Sequence, residues 1–406
     1  VLKRWTKTLS VLLVPLTAGA VALPAANAET PAVRYLGTWR VWPGVVFRTF
    51  ETSSPAGPVL GDLLDVDLRN PHVAVGLLHP PAVAAREPVS LMADTQHAVA
   101  GVNGDFFNIS ESHPGVPPTG SAVGPEVANG HALKAAVPFG QRFGPLPPDG
   151  ATTEDVIGVG ADRTARISAL QLAGTVDAPG PKVALDGLNQ YALPVGGVGA
   201  FTSRWGSVSR LRAVCGTDTE RAAPCSVNTE EVTVRRGVVT QVGTAIGAGA
   251  IPADTTVLVG REAGADTLRR LRPGDRVRIA YHLAGPRRLH FAVGGFAILH
   301  DGAPPPDLDA ATLAARTAAG ASRNGRHLYL LVADGNSPAS TGLTLAGLAA
   351  LLRQVGADDA MDLDGGGSTT LVLRGPGEPV VSVRNFPTGG TERAVANGIG
   401  VFVRSS

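Results

Sequence analysis

The sequence predicts a mixed α/β (α+β) fold: a large twisted mixed β-sheet core, flanking helices and a β-rich middle subdomain. Three observations carry that reading. With 51 glycines and 32 prolines in 406 residues, and many short Val-rich runs, the chain is punctuated into strands and turns. A 44% apolar fraction supplies a substantial core. Between His327 and Asp364 an apolar run, a stretch of helical period and a second apolar run follow one another, the order of a strand–helix–strand unit.

Taken in order, residues 1–28 carry Lys3, Arg4 and Lys7, an apolar run, and the small-residue end Ala26-Asn27-Ala28. That is the pattern of a secretory signal peptide, so the mature chain is expected to be exported, to the medium or the cell envelope, with no stable membrane span after cleavage. Residues 29–58 read as a lead-in, with a short strand about Trp39, Val41 and Trp42. One large domain is then expected over 59–405. It opens with two strands joined by an Asn70-Pro71 turn and a short helix near 89–97. Residues 98–109 run from an apolar strand into Asn103, Gly104 and Asp105, and a long Pro- and Gly-rich loop follows over 110–130.

Residues 152–290 form the β-rich middle subdomain, with a hairpin turn at Arg236-Gly237, a turn at 273–275 and a short helix over 263–271 between them. From Phe291 two strands flank a diglycine, and His327–Ala333 delivers Asp334 at its carboxyl end. Thr344 is placed to cap a helix with Leu345, Leu348, Leu351, Leu352 and Val355 on one face and Gly356 as its stop. If the strands on either side are parallel, Asp334 and the pair Asp362/Asp364 share one sheet edge.

Lysine plus arginine total 35 against 34 aspartate plus glutamate, so no global field draws the protein to nucleic acid. The two cysteines, Cys215 and Cys225, are expected to pair as a disulfide in an exported protein. With no histidine beside them in sequence, they make a poor metal site.

The chemistry concentrates in MDLDGGGSTT, residues 361–370. Asp362 and Asp364 alternate onto one side of a strand, Gly365, Gly366 and Gly367 let the backbone turn, and Ser368 and Thr369 bring hydroxyls. Two like charges together are costly in a core and useful in a polar site. A nucleotide loop fails, because no lysine follows the glycines and the next residues, LVL, read as a strand. An EF-hand fails for want of ligands, and Ser368 does not sit in a nucleophile elbow. No cofactor is firmly implied; a divalent cation held by these aspartates stays open.

NGDFFN (103–108), GGFAILHDG (294–302), Arg316, Asp334-Gly335, MDLDGGGSTTLV (361–372) and ERAVANGIGV (392–401) together resemble the phosphodiester glycosidase family. Asn189, GAFTSRWG and VTVRRGVV in the middle region are similar to its bacterial branch. The resemblance implies cleavage of the glycosidic bond of a sugar-1-phosphate diester, or of a phosphate-containing glycan. Asp362, Asp364 and Asp334 then fall at catalytic positions. Asn103, Asp105, Arg316, Gly365, Gly366, Gly367, Ser368, Thr369, Arg393 and Asn397 fall at substrate-binding ones. Two other readings compete: metal-dependent attack at phosphorus, and carbohydrate binding without turnover.

Overall fold

A computed structural model describes residues 32–404, so the signal-peptide reading of residues 1–28 lies outside the described residues. The centre of the molecule is a seven-stranded sheet. Its order is Arg34–Trp42, Val45–Ser54, Gly57–Asp67, His327–Ala333, Arg316–Ala321, Asp359–Leu363 and Phe296–Leu299. Every neighbouring pair in it is antiparallel. His327–Ala333 and Asp359–Leu363 both run antiparallel to the strand between them, so they are parallel to each other, as expected, without touching.

The helix Leu345–Val355 makes the crossover between them. Thr344 Oγ1 accepts the Gly347 N–H at 3.0 Å, and Gly356 ends the helix in the left-handed region at φ 107°. Leu345, Leu348, Leu351 and Leu352 are buried, each contributing about 1.5–3 kcal/mol over exposure. His327–Ala333 buries nearly every side chain, which is why it reads as a continuous apolar run.

A second sheet packs nearby, in the order Ser382–Val383, Leu371–Leu373, Ala100–Asn103, Gly398–Val403, Val73–Leu78. A third joins His131–Lys134, Glu126–Ala128, Leu289–Gly294, Asp155–Gly160 and Ala165–Ala169. Two further sheets fall within 152–290. They share a small apolar cluster that includes Val176, Leu188, Val232, Leu258 and Val277. Phe201, Trp205 and Val259 of the same region join the main core instead. In the Arg236-Gly237 turn both residues have positive φ, 49° and 75°, as a two-residue hairpin loop demands.

Two expectations are corrected. Among the described residues the fold is mostly β, with three α-helices of seven, six and eleven residues, so the mixed α+β reading holds roughly with helices sparser than expected, and the large sheet is antiparallel where a mixed sheet was expected. Residues 32–58 are more than a lead-in with one short strand, since they hold two full strands at one edge of the seven-stranded sheet. Arg34–Trp42 has mostly exposed side chains, and so lacks the apolar alternation that marks a strand in sequence.

Candidate active site

The register of the large sheet brings the predicted residues to one edge. Arg316 pairs with Ala333 and Thr317 with Leu363, so Asp334, Arg316 and Asp364 leave the sheet at one level. Asp362 is still inside its strand, opposite Ala318 and Phe296. The second sheet meets this edge with Asn103, and the segments after Asn103 and before Gly398 add Asp105 and Asn397.

Asp362 is 1% exposed, and neither carboxylate oxygen has a hydrogen-bond partner. Burial pushes it up to about 8; the charges of Arg316 and Arg142 pull down and that of Asp364 pushes further up. At neutral pH it is a carboxylic acid carrying a proton. Asp364 is better provided for: Ser368 Oγ donates to its Oδ2 at 2.6 Å, and the Gly365 N–H also reaches it. Arg393, which is exposed, donates through Nη1 to Ser368 Oγ at 3.3 Å. Burial still lifts Asp364 to about 7.

Several predicted ligands turn out to be committed to the protein. Asn103 is fully buried: Oδ1 accepts from Thr317 Oγ1 (2.8 Å) and the Thr370 N–H (3.0 Å), and Nδ2 donates to the Asp364 carbonyl (2.6 Å). It therefore orients the Asp364 backbone. Asn397 accepts the Asp105 N–H at 2.9 Å and donates to Glu126 at 2.8 Å. Arg316 Nε and Nη2 are held by the carbonyls of Leu343 (3.0 Å) and Thr312 (2.9 Å), so its contribution to Asp362 is a field more than a free fork. Of the three glycines, Gly366 adopts φ 59° and gives its N–H to the Ala315 carbonyl. Gly367 lies against the Arg393 guanidinium, leaving no room for a Cβ. The Thr369 hydroxyl is buried and unpartnered.

Asp334 stands apart. It accepts from Asn385 Nδ2 (3.2 Å) and the Phe386 N–H (3.0 Å), and burial raises it to about 6. Its carboxylate neighbour is Asp62 on the adjoining strand, which burial and then Asp334 lift to about 7. Sequence reading missed Asp62, although an acid set among Leu60, Leu63 and Leu64 was a signal.

Asp105 and its surroundings form a buried ionic floor. Asp105 Oδ2 accepts the Gly124 N–H at 2.6 Å, and burial raises it to about 6. Lys134, fully buried, donates to the carbonyls of Val123 (3.2 Å), Gly124 and Ala135 (2.7 Å), and burial lowers it to about 8 against the pull of Glu126 and Asp105. Gly294 and Gly295 are required here: a Cβ on the first would strike Asp105, and on the second the Asp362 carbonyl. Lys134, Glu126 and Arg142 were not singled out in the sequence: Glu126 and Arg142 act across long chain separations, on Asn397 and Asp362, and Lys134 acts on nearby carbonyls that carry no sequence pattern.

The stapled loop also reaches the site. Cys215 and Cys225 form the expected disulfide, and the loop it closes binds Gln141 through the Thr217 and Glu220 carbonyls. Arg221 donates to the Arg142 carbonyl at 2.9 Å, which steadies the residue whose charge Asp362 feels. Contrary to the sequence reading, a histidine does lie beside the sulfurs: His113 is within 4.8 Å of both. Its ring nitrogens are committed to Glu111 and the Ala223 carbonyl. Among the described residues this is the one cluster of three or more ligand-type groups; the aspartates do not converge so.

Residues 228–402 match the phosphodiester glycosidase family, which bears out the resemblance seen in the sequence. The matched stretch holds Arg316, Asp334, Asp362, Asp364, Ser368, Thr369, Arg393 and Asn397; Asn103 and Asp105 lie before it. No curated protein matches this chain. Among solved structures it is similar to a hypothetical protein from Synechocystis, with TM-score 0.68 and 20% identity, over 93% of this chain and 65% of that one. It thus spans about 65% of that relative's length. A putative exported protein from Burkholderia pseudomallei gives TM-score 0.69 at 18% identity, over 92% and 97%. At these identities the two show the fold. The zebrafish N-acetylglucosamine-1-phosphodiester alpha-N-acetylglucosaminidase catalytic domain, auto-inhibited by its pro-peptide, gives 0.42 at 15% identity, over 92% and 89%.

Proposed function

We propose, starting from the phosphodiester glycosidase match over residues 228–402, that this protein is a hydrolase cleaving the glycosidic bond of a sugar-1-phosphate diester. The substrate in this reading is a glycopolymer of the envelope or the extracellular space. The observation that carries it is Asp362, a fully buried acid with two unpartnered oxygens beside a second carboxylate. A fold keeps so costly a group where a ligand completes it.

The two carboxyl groups differ in the way acid–base chemistry needs. Asp364, with Ser368 and Arg393 favouring its charged form, takes a proton from the water that attacks the anomeric carbon, or attacks that carbon itself to form a glycosyl ester that water then hydrolyses to free the sugar and the carboxylate. The bond from that carbon to the phosphate oxygen breaks, and its electron pair leaves with the phosphomonoester. Asp362 gives its proton to the departing oxygen. Phosphate is already a good leaving group, so a donor of this weakness suffices. Arg393 is exposed at the same place and suits the phosphate's geometry. The disulfide fits an oxidising compartment.

The test is hydrolysis of a sugar-1-phosphate diester in ¹⁸O-water by the purified protein. Label in the sugar and none in the phosphate is the expected result. Label in the phosphate would mean attack at phosphorus and would sink the reading, as would binding with no product.

A further inference from the structure

A large cavity lies away from the carboxylates, with none of the site's aspartates in its lining. It has a volume of about 630 Å³, within the range of ligand sites. Its rim carries Arg287, Arg288, His131 and His282, all exposed, and no acidic residue lines it. Leu170 and Leu289 give it an apolar floor, and Tyr281, 38% exposed, adds an aromatic wall. In a chain with nearly equal positive and negative charge, an acid-free, basic cavity of this size is a local exception.

Two paired strands tie this cavity to the acid cluster. Leu289 lines the cavity, and Gly294, at the other end of the same strand, lies against Asp105. At ~3.3 Å per residue the two are roughly 16 Å apart along the strand. Val127 lines it too, and its neighbour Glu126 bonds Asn397.

We infer that this cavity is an accessory site for an anionic polysaccharide, separate from the site of cleavage. Arginine heads meet its phosphate or carboxylate groups, while Tyr281 and the leucines take the apolar faces of its sugar rings. The inference deepens the function proposed above by giving its substrate class, and depends on that function only for turnover.

The experiment measures binding of poly(glycerol phosphate), polygalacturonate and neutral dextran to the full chain, to Arg287→Ala/Arg288→Ala, and to Asp362→Asn. Expected is binding of at least one polyanion, weakening as salt rises. The double substitution should weaken it by about tenfold or more, the loss of 1.4 kcal/mol. Asp362→Asn should leave it unchanged. Preference between the two polyanions assigns phosphate or carboxylate as the group recognised. Equal binding by wild type and the double variant, or equal binding of dextran, overturns the inference. Turnover of a small diester by the double variant at the wild-type rate isolates the cavity from the chemistry. If no diester is cleaved by any form while the polyanion result holds, the cleavage reading fails and the cavity assignment stands.

Discussion

Two acidic pairs lie on the same sheet, and the protein provides for them differently. Asp62 and Asp334 are neighbours on adjoining strands, and Asp334 spends its acceptors on Asn385 and Phe386. Asp362 spends none, while its companion Asp364 is served by a serine that an arginine in turn contacts. Both pairs are pushed up by burial. A raised pKa alone therefore does not distinguish a reacting group; what distinguishes it is the hydrogen bonding left undone.

The largest effect expected from this contrast is on turnover. Asp362→Asn should cost roughly 10²–10⁴-fold in kcat with the fold intact by circular dichroism. Asp334→Asn, whose new amide oxygen still accepts from Phe386, should stay within about tenfold. Comparable losses at both positions would erase the distinction between the pairs.

Next comes the ionic floor. Lys134→Met leaves Asp105 and Glu126 without their counter-charge and takes the lysine's bonds from three carbonyls, of which Val123 keeps the Val137 N–H, at a cost of about 3–5 kcal/mol in urea denaturation. Adding Glu126→Gln should recover part of it. A loss unchanged by the second substitution would mean that the lysine acts through its carbonyl bonds alone.

The pH dependence of stability is third. A carboxyl whose pKa is raised by folding holds a proton that the unfolded chain has already released, so stability present at low pH drains away as pH rises. For Asp362 that window runs from the ordinary value of 3.8 to about 8, at about 1.4 kcal/mol per pH unit. Asp362→Asn should flatten the slope most at its alkaline end, measured by denaturation midpoints, and Asp334→Asn should act only up to about 6. Smallest is Ser368→Ala. It removes a bond that favours the charged form of Asp364, so the acid limb of kcat/KM should move to higher pH while turnover falls by about tenfold.

What the sequence made legible was local. The aspartate pair, the diglycine, the Thr344 cap and the Asp334 strand end each carry their signal within a dozen residues, and the structure has each of them. The partners of these residues were not legible, because they come from elsewhere in the chain. Arg142 sits in a loop of no recognisable pattern and acts on Asp362, while Lys134 reads as the end of an ordinary edge strand. Asn103 and Asn397 were legible as polar candidates but not in their bonding, since only the fold shows that their amides are already spent. Of the two amino-terminal strands, the first was legible only about Trp39, Val41 and Trp42, because an exposed edge does not need an apolar alternation; the second, Val45–Ser54, was not read as a strand.

The strand Gly398–Val403 lies between Val73–Leu78 and Ala100–Asn103, and Asn397 at its head holds Asp105 from 292 residues away. A ribosome delivers this strand some three hundred residues after its neighbours. Until it arrives, the early strands wait with a gap between them and the ionic floor lacks a wall. The sheet and the acid cluster behind it therefore stay open until residues 397–403 have been made.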